Sequence, residues 1–242
     1  MKGYLDIHSH VLPGVDDGSK DMDMTMELLQ MAYDEGVRYM MATPHYYPGH
    51  RNAGCEKLIQ TYQEVKKEIQ KQGMDMELFL GNEIYYKDEV PQLLRKKEIF
   101  TLNDSRYVLV EFNVNMEYKK INEAIKRLVM EGYYPIIAHV ERYGCLLKRE
   151  DLVQELIEQG AYIQVNAETF LGGMFDGYKK FVMKLFAKGM VHFLGSDAHR
   201  TDWRRPVMEE AVSLLYKKMD ASLVDKVVKD NPKHFLEKNF IK

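Results

Sequence analysis

Tyr4-Leu5-Asp6-Ile7-His8-Ser9-His10, with Asp17 seven residues further on, is a short apolar strand that ends in two imidazoles. Side-chain direction alternates along a strand, so His8 and His10 face the same side and have the geometry of a metal-ligand pair. Two histidines alone would suit a solvated strand end equally well. The rest of the chain separates the two readings.

Working outward, short β-type runs alternate with longer helical ones, the pattern of βα units on a mainly parallel sheet. Seven strands are expected: Tyr4 to His8, Val37 to Thr43, Glu77 to Gly81, Tyr107 to Phe112, Pro135 to His139, Tyr162 to Asn166 and Val191 to Ser196. Helices are expected over Met22 to Glu35, Glu56 to Gln72, Lys87 to Lys97, Ile121 to Glu131, Arg149 to Gln159, Tyr178 to Lys188 and Pro206 to Met219. One or two closing helices follow over Leu223 to Phe240, with Asn231-Pro232 as the turn that starts the last. A repeat of this kind with short αβ turns favours a single domain over residues 1–242 built as a closed or nearly closed α/β barrel. An open doubly wound sheet is the alternative, although no Gly-x-Gly-x-x-Gly follows any strand, so a dinucleotide site has no support.

Composition sets the boundaries of function. With 45% apolar and 29% charged residues the chain is long and apolar enough to bury a sizeable core, and nothing in it reads as disordered. A formal net charge of -3, with Lys and Arg dispersed, gives no reason to expect nucleic-acid binding. Cys55 and Cys145 cannot staple a chain of this length, which suggests a reducing compartment. No apolar run approaches the roughly 18 residues a spanning helix needs, and the N-terminus lacks a basic region before an apolar core. The expectation is a soluble cytoplasmic protein without membrane insertion. The sequence sets no oligomeric state.

Working residues of a parallel barrel collect at the C-terminal ends of its strands. Here those ends carry His8 and His10, His45, Glu83, Glu111, His139, Asn166, Asp197 and His199. Glu83 alone would suit a carboxylate leading a helix. Glu111 is more pointed, because Val108-Leu109-Val110-Glu111-Phe112 sets a carboxylate inside an apolar run where it needs a partner charge or a metal. Asp197 and His199 repeat the spacing of the first strand. Five histidines and four carboxylates, counting Asp17, exceed what one ion uses, so two or three divalent ions with a bridging carboxylate are expected. A purely nitrogen and oxygen donor set suits manganese, zinc or iron(II) better than a thiolate-loving ion.

These motifs resemble the PHP (polymerase and histidinol phosphatase) domain, and more narrowly the manganese-dependent bacterial protein-tyrosine phosphatases of the CpsB/CapC/YwqE family. The resemblance covers essentially the whole chain. It rests on Asp6-Ile7-His8-Ser9-His10, Gly14-Val15-Asp16-Asp17-Gly18, Ala42-Thr43-Pro44-His45, Gly81-Asn82-Glu83-Ile84-Tyr85-Tyr86, Leu102-Asn103-Asp104-Ser105-Arg106-Tyr107, Val110-Glu111-Phe112, Ala138-His139-Val140-Glu141-Arg142-Tyr143, Ser196-Asp197-Ala198-His199 and Asn231-Pro232. It implies a distorted (β/α)7 TIM-like barrel, the PHP fold, with three metal sites. His8, His10, Glu83 and Asp197 would serve the first, Glu83 with Glu111 and His139 the second, and Asp17, His45 and His199 the third. Manganese is the implied metal, with iron, zinc, cobalt or magnesium as alternatives. The implied substrate is a phosphotyrosyl protein, the tyrosine-rich tail of a membrane-associated bacterial tyrosine kinase that regulates capsule or exopolysaccharide production. At Trp203-Arg204-Arg205-Pro206 the chain departs from the family's Gly-Arg-Pro-like turn, which leaves Arg204 and Arg205 as rival phosphate contacts.

Bound divalent cations lower the pKa of water toward neutrality and neutralise phosphoryl oxygens, so the expected nucleophile is water. A thiol route fails on spacing, since Cys-x5-Arg would need arginine where Thr61 and Asp151 stand. Arg142 and Arg204 are the candidate catalytic residues, clamping phosphate bidentately; for Arg142 a surface ion pair with Glu141 or Glu150 is the plainer role. Tyr46, Tyr47, Tyr85, Tyr86 and Tyr143 follow site residues and suit either stacking on an aromatic leaving group or core packing. Two other functions fit the residues: a small-molecule phosphoesterase such as a histidinol-phosphate phosphatase, and a non-catalytic module that binds a kinase and holds metal for stability.

Overall fold

A computed structural model describes residues 3–172 and 176–241. In chain order its strands are β1 (Tyr4–Ser9), β2 (Val37–Ala42), β3 (His45–Tyr46), β4 (Glu77–Leu80), β5 (Glu83–Tyr85), β6 (Tyr107–Glu111), β7 (Tyr134–Ile137), β8 (Tyr162–Asn166) and β9 (Phe193–Gly195). Its α-helices are α1 (Met22–Asp34), α2 (Cys55–Lys71), α3 (Val90–Arg95), α4 (Tyr118–Met130), α5 (Glu150–Glu158), α6 (Asp176–Ala187), α7 (Glu209–Lys218), α8 (Ala221–Asp225) and α9 (Asn231–Leu236). β1, β2 and β4 form one sheet, and β3, β5, β6, β7, β8 and β9 the other, every pairing parallel. A parallel bridge from Ser9 to Ala198 joins β1 to the segment after β9. The fold is therefore mixed α/β, with a parallel sheet curled into a half-barrel.

Two of the expected strands end as expected but resume after a short break, and the breaks position the site. β2 stops at Ala42 and the chain resumes as β3 beyond Thr43-Pro44, because Pro44 has no N–H to give a ladder. β4 likewise stops at Leu80 and resumes as β5 beyond Gly81-Asn82. The Asn82 side chain stands in for the missing backbone bonds: Nδ2 donates to Pro44 O at 2.9 Å and Oδ1 accepts from Phe100 N–H at 2.9 Å. The restart puts His45 and Glu83 first in their strands and directly opposite one another.

Alternation along β6 and β8 decides what lies inside the curl. Tyr107 and Leu109 join an inner cluster with Ile7, Met41, Ile136 and Phe193, while Val108 and Val110 pack outward with the helices. Glu111 continues the inner row of β6, and Gln164 and Asn166 continue that of Tyr162 on β8. Below the site the interior closes on aromatic rings. Tyr107 lies 5.4 Å from Tyr162 and 5.3 Å from Phe235, and the two tyrosine hydroxyls donate to Asn239 O and Ile241 O at 2.9 Å each.

Helix ends shift modestly from expectation: α3 is shorter than Lys87 to Lys97, α4 starts at Tyr118, and α7 starts at Glu209 instead of Pro206. One difference is qualitative. Asn231-Pro232 does start the last helix, with Pro232 in its first turn, but it makes no break: a π-helical turn over Lys226–Asp230 runs directly into α9. Pro232 cannot donate a helical hydrogen bond, and the wider turn before it absorbs the mismatch.

His192, just before β9, supplies a pH-dependent element away from the site. Its Nδ1 accepts from Ile163 N–H at 3.1 Å, and burial with Lys226 nearby lowers its pKa to about 4. Protonation would aim an N–H at an N–H, so the native state holds the neutral ring. Stability from this group is complete above the unfolded pKa of about 6.5 and is lost as pH falls toward 4. Between pH 6.5 and 5 the wild type should lose about 2 kcal/mol more than His192→Asn in urea unfolding. Parallel pH profiles for the two proteins would remove His192 as the cause.

Candidate metal centre

His8 and His10 leave β1 fully buried. His8 Nδ1 donates to Gln164 Oε1 at 3.2 Å, and His10 Nδ1 to Asp16 Oδ2 at 2.7 Å. Each contact orients its ring so that Nε2 points inward, and the two Nε2 atoms stand only 3.2 Å apart. They also face Glu83 Oε2 at 3.2 and 3.3 Å and Asp197 Oδ1 at 3.5 Å each. Although burial disfavours a charged ring, Asp16, Asp197 and Glu83 together hold His10 well above its usual pKa. The pocket thus draws positive charge to one point. Gly18 lets the Asp16-Asp17 loop fold this closely: a Cβ there would meet the His10 carbonyl oxygen at 2.2 Å.

Glu83 is the hub. Its Oε1 lies 2.8 Å from His139 Nε2, and its Oε2 lies 2.9 Å from His45 Nδ1. Burial alone would raise its pKa, but His8, His45, His10 and His139 outweigh this and keep it well below the carboxylate norm. Glu111 shows the opposite balance. Burial and the Glu83 charge push it up to about 7, because His45 at 3.6 Å offsets them only in part. His139 is lowered to about 4 by burial and by Arg142.

Asp197 anchors the far side. Its Oδ2 receives Arg142 Nη2 at 2.7 Å, Asn166 Nδ2 at 3.1 Å and Arg204 Nη2, so Oδ1 is left facing the histidines. His199 Nδ1 donates to Asp197 O at 2.9 Å, which turns Nε2 toward Asp17 Oδ1 at 3.6 Å. Asp17 in turn lies 3.5 Å from His45 Nε2. His139, Asp197 and Arg204 all hold positive φ (31°, 54° and 52°), a left-handed conformation uncommon outside glycine and typical of residues held at functional sites.

The donor set fits divalent cations on two observations. Buried atoms aimed into the cluster lack hydrogen-bond partners: His45 Nδ1, Glu83 Oε2, Glu111 Oε1 and Asp197 Oδ1. Such atoms are costly unless something else satisfies them. Ligand atoms also converge in three overlapping groups: His8, His10, Glu83 and Asp197; His10, Asp17, His45 and His199; and His45, Glu83 and Glu111. All nine sequence candidates therefore meet in one place, with His139 seated against Glu83. Arg142 and Arg204 both reach its edge, whereas Arg205 is exposed. Tyr143 and Tyr86 prove to be core residues: Tyr143 is fully buried and its hydroxyl accepts from Phe112 N–H at 3.2 Å, and Tyr86 packs on Phe112. Tyr47 lies beside His45, with ring centroids 5.0 Å apart.

Three orienting residues escape a reading of the sequence alone: Asp16, Gln164 and Asp6. Gln164 Oε1 accepts from both His8 and the His139 backbone N–H (2.7 Å), while its Nε2 holds Asn166. Asp6 ties β1 to β9 by accepting from Ser196 N–H at 2.9 Å and from the Ser196 hydroxyl at 2.5 Å. Two signals were present. Gln164 and Asn166 repeat the two-residue spacing of His8 and His10 inside an apolar strand, and Asp16 adjoins Asp17.

Fold and cluster together define the class: an α/β protein with a buried imidazole-and-carboxylate cluster, suited to hard divalent cations, at the C-terminal edge of a parallel sheet. The chain belongs to the CpsB/CapC family of capsular polysaccharide synthesis, whose profile matches residues 4–237. It is 35% identical to the tyrosine-protein phosphatase CpsB of Streptococcus pneumoniae over 237 residues, 96% of this chain and 98% of that protein. It is 31% identical to the tyrosine-protein phosphatase YwqE of Bacillus subtilis over 219 residues, 90% of this chain and 86% of that one. The fold superposes with a TM-score of 0.92 and 29% identity on a crystal structure from work on YwqE and CpsB, described as metal-dependent tyrosine phosphatases, covering 98% and 96% of the two chains.

Proposed function

We propose that the chain is a metal-dependent protein-tyrosine phosphatase, a single PHP-type domain whose natural cation is manganese. The observation that carries this reading is the meeting of eight ligand-type side chains, with His139 seated against Glu83 as a ninth and two guanidiniums at their edge. If β2 with β3 and β4 with β5 are each taken as one interrupted strand, seven strands circle the interior, which supports a distorted (β/α)7 barrel. His8, His10, Glu83 and Asp197 would hold one ion, Glu83 with Glu111 and His139 a second, and Asp17, His45 and His199 a third. When bound, the cations supply an acidified water and neutralise charge on the phosphoryl group.

The protein's own groups do the rest. Gln164 and Asp16 keep the Nε2 atoms of His8 and His10 turned inward. Arg142 and Arg204 hold phosphoryl oxygens; the buried Nε–H of Arg204 has no partner within the protein and is a donor free for that contact. The substrate is a phosphotyrosyl protein, the tail of a membrane-associated kinase controlling capsule or exopolysaccharide, a reading supported by the family's link to capsular polysaccharide synthesis. The site of action is cytoplasmic, in keeping with the absence, among the described residues, of any helix long and apolar enough to cross a membrane.

The test compares phosphotyrosyl peptide, phosphoseryl peptide and histidinol phosphate at matched metal. The phosphotyrosyl peptide should have the highest kcat/KM. Arg142→Ala or Arg204→Ala should each lower that value about tenfold or more, since a charge-assisted contact contributes roughly 1.5–3 kcal/mol, with bound metal unchanged. Equal or better turnover of histidinol phosphate would move the protein to small-molecule chemistry. No turnover of any aryl phosphate would favour the regulatory module.

A further inference from the structure

Beside the cluster lies a cleft of about 670 Å³ whose walls include Arg142, Arg204, Val114 and Trp203. Two of these residues carry the charge that meets Asp197, and two are apolar and exposed. Trp203 is 58% exposed and Val114 47%, an unusual outlay of large apolar surface beside a polar site. Trp203 is also the sole tryptophan of the chain.

Its placement is held by the backbone. Arg204 adopts a left-handed conformation, and His199 N–H donates to Arg204 O at 2.9 Å, closing the loop that carries both side chains. The Arg204 guanidinium carbon stands 5.5 Å from the Trp203 ring centroid, while Nη2 of the same guanidinium meets Asp197. A phosphoryl group taken by Arg204 therefore sits one side chain away from an exposed indole. In a phosphotyrosyl ester the phenyl ring begins a single oxygen from phosphorus. A ring there is within reach of the indole, and aromatic pairs attract at centroid separations of about 4.5–7 Å.

We propose that Trp203 is a specificity-determining residue, the wall against which the aryl ring of the substrate packs, so that this chain selects aryl over alkyl phosphoesters in the cleft shared by Arg142 and Arg204. The proposal rests on the tyrosine-phosphatase reading and deepens it. A serine-borne phosphate has no ring to offer Trp203, and its short side chain holds the peptide backbone closer to the rim.

Inhibition constants isolate the contribution of the ring. A peptide bearing the non-hydrolysable phosphonomethyl analogue of phosphotyrosine and inorganic phosphate would be compared as competitive inhibitors of wild type, Trp203→Ala and Trp203→Phe. In Trp203→Ala the ratio of the two constants, peptide over phosphate, should rise about tenfold, and Trp203→Phe should restore most of it. In the wild type the phosphonopeptide should change the tryptophan emission at saturation, and inorganic phosphate should change it much less. An unchanged ratio in Trp203→Ala, or identical emission with the two ligands, overturns the proposal. Turnover of phosphotyrosyl peptide by the wild type, measured alongside, tests the parent reading separately.

Discussion

Glu83→Ala is expected to lower phosphotyrosyl turnover on the order of 10³-fold and to reduce the number of ions bound per chain. The reason is position. This carboxylate is 1% exposed and touches His8, His10 and His45 through Oε2 and His139 through Oε1, so its removal opens two proposed sites at once. Breaking a buried charge pairing costs about 3–5 kcal/mol, which corresponds to that loss of rate when it falls on the reacting centre. Loss of Asp17, two-thirds exposed at the rim, should cost less. Elemental analysis beside kinetics decides the matter: an inactive variant with a full complement of metal would remove Glu83 from the coordination shell.

Stripping the protein with a chelator should abolish activity, and adding manganese should restore it. It should also lower the melting temperature. A ligand present at 100 to 1,000 times its Kd stabilises the native state by about 2.7–4.1 kcal/mol, which for a chain of this size corresponds to roughly 5–16 °C. Cys55→Ser combined with Cys145→Ser should keep most of the activity. Both thiols are held above their usual pKa, chiefly by burial, the reverse of what a thiolate nucleophile needs. Cys55 Sγ also lies 3.2 Å from the Glu98 carbonyl oxygen as a donor. Loss of activity in the double variant with the fold intact would sink the water-based mechanism.

Much of this site could be read from strand ends, because a parallel sheet gathers residues distant in sequence at one edge. Glu111 at the end of Val108-Leu109-Val110 is the clearest instance, since an apolar run that closes on a carboxylate implies a partner. What stayed hidden shares a physical cause. The strand breaks at Thr43-Pro44 and Gly81-Asn82 depend on a side-chain amide, Asn82, doing the work of backbone, and hydrophobic periodicity carries no trace of that. The pairing of His8 with Gln164 spans 156 residues and leaves no local pattern. That Arg204 meets Asp197 while Arg205 is exposed goes with a positive φ at Arg204, which neither arginine advertises in sequence. The π-helical turn before Pro232 likewise preserves helical continuity where a proline suggests a boundary.

The seam between β1 and the end of β9 carries a kinetic consequence. The His8 carbonyl accepts from Asp197 N–H at 2.8 Å, and His10 N–H reaches Ala198 O at 2.8 Å, so the walls of the centre are joined across about 190 of the chain's 242 residues. Contacts of such separation form late, after shorter loops have closed. Until that seam closes, the imidazoles and carboxylates of the centre are scattered along the chain, so the cage is complete only when the sheet is, and its selectivity among metals is a property of the finished cavity.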